Sequence, residues 1–169
     1  MALTKVQAEG INLADAFVFS GAVSGTAGDN TPSFYGTLAS TQSISNTTWT
    51  KLLIANKSWD TDSAFASNKF TIPSGEGGKY FIGYSIGTEA TMDNEERLIG
   101  RPHVNGSALT ILSNDWSPAA NRDLFINQTT VINLNEDDYV ELYAYQNDGS
   151  AVNITSSHTS FWGFKLRGV

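Results

Sequence analysis

From Ser33 onward the apolar residues of this chain fall in short runs at every second position, and Gly, Pro, Asn and Asp punctuate the runs. Successive side chains of a strand point to opposite faces, so the alternation predicts half-buried β-strands. The clearest run ends the chain's acidic stretch: Val140, Leu142 and Ala144 share one face, and Tyr139, Glu141, Tyr143 and Tyr145 share the other. The same pattern predicts strands over 33–38, 48–56, 69–72, 79–88, 97–104, 108–112, 124–134 and 139–146, and over 152–166 with a break inside. Pro32, Pro73, Pro102 and Pro118 fall at the ends, edges or loops of this scheme, where a missing N–H is tolerated. Asn105-Gly106, between Val104 and the run after Ala108, is a tight-turn pair. In the last run Trp162 and Phe164 share a face and Phe161 takes the other; periodicity alone leaves open which is inward.

No run carries the 3.6-residue apolar stripe of a helix, and none approaches the roughly 18 apolar residues that cross a membrane. With 169 residues the chain can bury one full core. Its 16% charged residues and frequent Gly, Ser, Thr and Asn fit an all-β protein with many turns. The net charge of −7 repels phosphate backbones and anionic lipid, and the ten Lys and Arg are scattered singly, so neither a nucleic-acid nor a membrane partner is expected. The absence of cysteine excludes disulfides and thiolate metal sites. The opening Met1-Ala2-Leu3-Thr4-Lys5 lacks the apolar core of a secretory signal, so synthesis and folding in a cytoplasm are expected.

Residues 1–31 stand apart as an arm and linker, ahead of a sandwich over 32–169. Ile11, Leu13, Phe17 and Phe19 are apolar in a segment too short and glycine-rich to fold alone, so they need a surface from elsewhere. That surface is another protein or, as a first strand or hairpin, the arm's own domain.

Candidate chemistry is thin. Neither His103 nor His158 has the acidic neighbour or helical partner of a metal pair or a triad, and Ser157-His158-Thr159-Ser160 reads as a strand or loop in which a Ser157–His158 pair would hold its side chains on opposite faces. A carboxylate pair for glycoside hydrolysis could be drawn from Asp93, Glu95, Glu96, Glu136, Asp137 or Asp138, but these read as solvated turns. Asp60-Thr61-Asp62 and the same acidic turns offer oxygen ligands without the spaced Asp loop of a calcium site. No catalytic residue, metal or cofactor is therefore assigned. The five Asn-x-Ser/Thr sequons fit turn-rich composition.

Two stretches together resemble the C1q and tumour-necrosis-factor (TNF)-like jelly roll. In the first, Lys69-Phe70-Thr71-Ile72-Pro73 leads through Gly75-Glu76-Gly77-Gly78 into Lys79-Tyr80-Phe81-Ile82-Gly83-Tyr84. In the second, Glu136-Asp137-Asp138 precedes the strand to Tyr145, and the chain closes on Phe161-Trp162-Gly163-Phe164. The resemblance implies an all-β antiparallel jelly-roll sandwich that closes as a homotrimer around a threefold axis, with aromatic residues stacked on that axis. Tyr80, Tyr84, Tyr139, Tyr143 and Tyr145, which alternate with aliphatic residues on neighbouring strands, are the expected trimer interface.

The arm brings a second resemblance. Gly10-Ile11-Asn12-Leu13-Ala14-Asp15-Ala16-Phe17-Val18-Phe19-Ser20-Gly21-Ala22-Val23-Ser24-Gly25 looks like the short leader of bacteriophage tail-fibre and appendage proteins. It implies a virion structural protein made in the host cytoplasm: a fibre head, knob or capsid-decorating spike. Ile11, Leu13, Phe17 and Phe19 would then dock on other virion proteins, leaving the distal end free to meet a host-surface glycan or protein. The rival expectations are a secreted C1q-like recognition module and a glycan-cleaving virion enzyme.

Overall fold

Alternation becomes pairing in the structure, a computed structural model that describes residues 30–89, 92–93, 95–110, 113–117 and 122–167, with the Asn114 and Trp116 side chains undescribed. The expected attachment arm, with Ile11, Leu13, Phe17 and Phe19, lies outside the described residues. The strands are β1 (Ser33–Leu38), β2 (Gln42–Ile44), β3 (Thr50–Lys51), β4 (Ile54–Asp60), β5 (Phe65–Ala66), β6 (Lys69–Thr71), β7 (Gly78–Gly87), β8 (Arg97–Val104), β9 (Ser107–Ala108), β10 (Ser113–Trp116), β11 (Phe125–Leu134), β12 (Tyr139–Gln146), β13 (Val152–Ile154) and β14 (Ser160–Lys165). All pairings between them are antiparallel.

Two sheets face each other. One has the order β11-β7-β14-β1-β4; the other runs β10-β8-β12-β6-β5, with β3 also on β12 and β9 on β8, while β13 and β2 form a separate short pair. Most neighbours in each sheet are distant in sequence, as when the first strand β1 lies beside the last, β14, with Tyr35 opposite Trp162. This is the crossed connectivity of a jelly roll.

The inner faces interdigitate into one core. At its centre Phe34 stacks on Phe65 and Phe70 at 4.8 and 4.5 Å and meets the edge of Phe161 at 4.9 Å. Phe161 is therefore inward, and Trp162 and Phe164 point out of the sandwich, which resolves the alternative that periodicity left open. Val140, Leu142 and Ala144 are fully buried, as their shared parity predicts. The Asn105-Gly106 turn forms with φ of 52° and 77°, and pairs His103 with Ala108 and Val104 with Ser107. Two positive φ values in a two-residue hairpin loop are what an Asn-Gly pair supplies at little steric cost.

Some boundaries differ from the periodicity. The expected strand over 48–56 is two strands in two sheets: β3 pairs with β12, β4 pairs with β1, and the chain crosses between the layers at Leu52 and Leu53. Leu52 and Ile54 both stay buried through the crossing, so the alternation continues while the partner changes. The expected strand over 108–112 ends at Ala108: β9 pairs with the end of β8, and β10 pairs with its start, Arg97 to Gly100. β2, β5 and β10 are too short to show a period.

Candidate functional site

The outward face of the β11-β7-β14-β1-β4 sheet is rich in aromatic rings. Alternation places Tyr35 of β1, Phe81 of β7, Phe125 of β11, and Trp162 and Phe164 of β14 there, and Trp59 of β4 joins them. Tyr35 stacks between Trp59, at 5.0 Å, and Trp162, at 6.3 Å, while Phe81 stacks on Phe164 at 5.3 Å. Trp59 and Val131 are each 52% exposed and Phe125 47%. Tyr35, Trp59, Trp162 and Phe164 border an open groove of about 720 Å³ whose lining also includes Asn30 and Thr31, where the described chain begins.

Glycine lets these rings lie flat. Gly83 stands opposite Trp162 in the β7–β14 register, and a Cβ there would sit 2.5 Å from the indole. At Gly87 a Cβ would meet Phe125 at 2.8 Å and the Cβ of His158 at 2.6 Å. Glycine inside a strand leaves a depression that a neighbouring ring fills, so the two residues convert a pleated surface into a smooth aromatic one.

The five tyrosines assigned to a trimer interface do not lie together. Tyr80 and Tyr84 are a correction: they point into the core at 0% and 1% exposure and cannot touch a second copy. Phase explains it, because on β7 the outward parity belongs to Lys79, Phe81, Gly83, Ser85 and Gly87. The Tyr80 hydroxyl donates to the Glu76 carbonyl at 2.6 Å, and burial raises its pKa. The Tyr84 hydroxyl donates to the Gly100 carbonyl at 2.7 Å and accepts the Ser113 N–H at 2.9 Å, and burial pushes it up to about 12. Tyr139, Tyr143 and Tyr145 do share an outward face, but on the opposite sheet, and each is half covered by neighbours of its own chain.

The acidic turns are tied rather than free. The Glu136 carboxylate accepts the Gly75 N–H at 2.7 Å, and that bond holds its pKa below the ordinary value. Asp138 accepts the Asn105 side-chain amide and the Asn135 N–H, both at 2.7 Å, and is lowered by the same contacts. These bonds fasten the turns that flank β7, β8 and β12.

A second acidic group draws on a residue that sequence reasoning missed: Asp148, with Asp93 and Glu96, brings carboxylate oxygens within 4.8 Å of one another. A hydrogen bond with Asp148 pushes Glu96 up to about 7, as expected of two carboxylates that share a proton. These three residues could ligate a divalent cation. They line neither groove described here, the second being a 370 Å³ concavity beside Phe65.

Ser157 and His158 lie in an exposed turn, the loop alternative for this stretch, and their side chains meet instead of pointing apart: Ser157 Oγ lies 2.9 Å from His158 Nδ1. The hydroxyl's other contact is the Thr155 hydroxyl at 2.8 Å. No carboxylate orients the imidazole among the described residues, so the pair lacks the third member of a triad.

No known protein family matches the sequence, and no curated protein does. Solved structures do match. The globular domain of zebrafish complement 1qA protein superposes with a TM-score of 0.61 at 17% identity, covering 80% of this chain and 97% of that one. Eiger TNF from S. frugiperda gives 0.59 at 11%, covering 79% and 90%. Murine APRIL, solved at pH 5.0, gives 0.58 at 9%, covering 79% and 98%. At these identities the likeness is one of fold: 30–167 is an antiparallel jelly roll of the C1q/TNF type.

Proposed function

We propose that this C1q/TNF-type jelly roll works without catalysis, as a homotrimeric head whose protomers meet through the outward face of β11, β7, β14, β1 and β4. The observation that carries the reading is the aromatic surface from Trp59 and Tyr35 across Trp162 and Phe164 to Phe81, flattened at Gly83 and Gly87. Exposed apolar patches of this kind mark interaction surfaces, and burying them removes apolar area from water at about 25 cal/mol per Å². Likeness to complement 1qA and TNF-type domains supports closure by three copies of one chain. The expected interface thus moves from the tyrosines of β7 and β12 to Tyr35, Trp59, Phe81, Trp162 and Phe164.

The biological setting we propose is a bacteriophage virion, with the protein as a fibre head, knob or capsid-decorating spike. Residues 1–31 would be the attachment arm, seating Ile11, Leu13, Phe17 and Phe19 on other virion proteins. The leader-like phrase from Gly10 to Gly25 supports this setting, and a short apolar arm in three copies gains avidity on a repeated lattice. A secreted C1q-like recognition module is the second reading, favoured by the fold likeness alone.

Light scattering tests the assembly: the purified chain should weigh three times its 18.2 kDa mass, and Trp162→Asp should give a folded monomer. A wild-type monomer at micromolar concentration overturns the trimer. Mass spectrometry of purified phage particles tests the setting, where the chain should be a stoichiometric component. Its recovery from culture medium apart from any particle would instead support the secreted module.

A further inference from the structure

The outward face of the other sheet carries a separate feature. On β8, β12, β6 and β3 the outward positions alternate between cations and rings: Lys51, Lys69, Arg97 and Arg101 lie among Tyr139, Tyr143 and Tyr145. Trp49, from the β2–β3 loop, laps over them. The Arg101 guanidinium lies over the Trp49 ring at 4.7 Å, the Lys69 ammonium over Tyr139 at 4.2 Å, and His103 stacks on Tyr143 at 4.0 Å. Trp49 also packs against Tyr145 at 5.4 Å.

Four of the chain's ten Lys and Arg thus collect on one face of a molecule whose net charge is −7. Among the described residues, the one carboxylate at the outward positions of these strands is Glu141, which is already paired with Lys51. Among the described residues Arg101 has no ion pair, and its buried Nε has no hydrogen-bond partner there. Stacking therefore holds the guanidinium in place, and among the described residues no carboxylate pairs with its fork. Removing a guanidinium from water without a partner is costly, and a bidentate carboxylate or sulfate is the group that matches its geometry.

We infer that the outward face of β8 and β12 binds an anionic carbohydrate: an extended saccharide chain whose carboxylate or sulfate meets Arg101 and whose sugar rings pack against what the chain's own contacts leave uncovered of Tyr143, Tyr145 and Trp49. Charge complementarity selects the anion. The shape of the surface selects the polymer. Tyr139, Tyr143 and Tyr145 share one face of one strand, with Tyr143 and Tyr145 about 7 Å apart and Tyr139 about 14 Å from Tyr143 beyond Glu141, and neither groove lies there. Tyr and Trp present an apolar body with a polar rim, the character that the C–H face and hydroxyl edge of a sugar ring require. A peptide would need an open strand edge or a groove, whereas β12 is flanked by β8 on one side and β6 and β3 on the other, and β8 is covered by β10. A nucleic acid places one charge every 1.7 Å or so of duplex, too dense for four cations on an acidic protein. A saccharide with one anionic group per sugar or two is sparse enough.

The test uses the full chain in calorimetric titrations with three probes: a galacturonic acid hexamer, neutral maltohexaose and hexaglutamate. The galacturonate should bind, more weakly at higher salt because exposed charges are screened. Maltohexaose and hexaglutamate should bind at least about tenfold more weakly, since each lacks one of the two recognition elements. Arg101→Gln should lower galacturonate affinity about tenfold, with Arg101→Lys between, because lysine keeps the charge and loses the fork. Lys69→Gln provides a second variant that should weaken binding without unfolding. Trp162→Asp, on the opposite sheet, should leave the affinity per protomer unchanged whether or not the protein is a trimer. Equal binding of maltohexaose, tighter binding of hexaglutamate, or full affinity in both Arg101→Gln and Lys69→Gln overturns the assignment, as does no binding of the galacturonate.

Discussion

Gly83 shows how a single residue without a side chain can set the character of a surface. The Trp162 ring occupies the space where its Cβ would be, at 2.5 Å, so alanine there must lift the indole off the sheet. Gly83→Ala should cost about 1–3 kcal/mol by overpacking, and it should also weaken self-association, because the indole would no longer lie flush. Calorimetry and light scattering on the same sample check both effects. Tyr84 is the inward counterpart on the same strand, its hydroxyl serving Gly100 and Ser113. Tyr84→Phe should cost about 1–3 kcal/mol, since a buried carbonyl and a buried N–H both lose their partner. Little of this was legible from the chain. Period two says that Trp162 and Phe164 share a face, but the inward choice depends on which residues stand opposite, and Gly83 opposite Trp162 is a long-range pairing. The parity of Phe81, Gly83 and Gly87 on β7 was the available signal; the larger Tyr80 and Tyr84 masked it.

Long, strongly alternating elements were legible: β7, β8, β11 and β12 lie within two residues of the expected spans, because each keeps one partner on a side along most of its length. Where the partner changes, as between β3 and β4, periodicity is blind. Loops that close at a distance were equally hidden, and the Asp93, Glu96 and Asp148 cluster is the example: the start of β8 and the turn after β12 meet only because those strands pair, with Gln146 opposite Leu98. The cluster predicts an unusual pH dependence. Glu96 is pushed from an ordinary 4.5 up to about 7, so the folded chain holds that proton more tightly than the unfolded one. Stability should therefore rise as pH falls through about 7, and the gain is complete once pH is below the unfolded value. Glu76, lowered by its hydrogen bond to Lys165, and Glu136 and Asp138, lowered by theirs, act in the opposite sense. Their stabilisation is present above the ordinary carboxylate range and is lost as pH falls through their depressed values. Burial lowers His103, so its protonation opposes the gain from Glu96 as pH falls below the ordinary imidazole range. The melting temperature should then climb from pH 8 toward pH 6.5 and drop below pH 4. Asp148→Asn should flatten the climb and leave the acid limb in place; an unchanged slope in that variant would show that the climb has another origin.

At the scale of the molecule, two sheets give two outward faces of different chemistry: one aromatic and nearly uncharged along its centre, the other set with cations between rings. Under the readings proposed above, a head that joined its copies through the first face would keep the second turned outward, so that assembly and recognition would not compete for surface. The arm should be separable from both. β1 begins at Ser33, three residues into the described chain, and is held from either side by β14 and β4. The end itself is fastened as well: the Arg167 guanidinium donates to the Thr31 carbonyl at 2.7 Å and reaches Glu76 at 3.2 Å, while Lys165 pairs with the same carboxylate at 2.9 Å. A chain cut to residues 30–169 therefore keeps every strand described here, its core and its aromatic face. It should fold with a melting temperature close to that of the full chain, as expected where the backbone removed carries none of these pairings. By light scattering it should give the same multiple of its own chain mass. Under the virion reading the cut should abolish incorporation into particles, and Phe17→Asp with Phe19→Asp in the full chain should do nearly as much, by placing charge where an apolar groove was to be filled. A truncated chain that stays unfolded would make the arm a strand of the sandwich. A folded truncation that still reaches particles at normal copy number would move attachment onto the jelly roll.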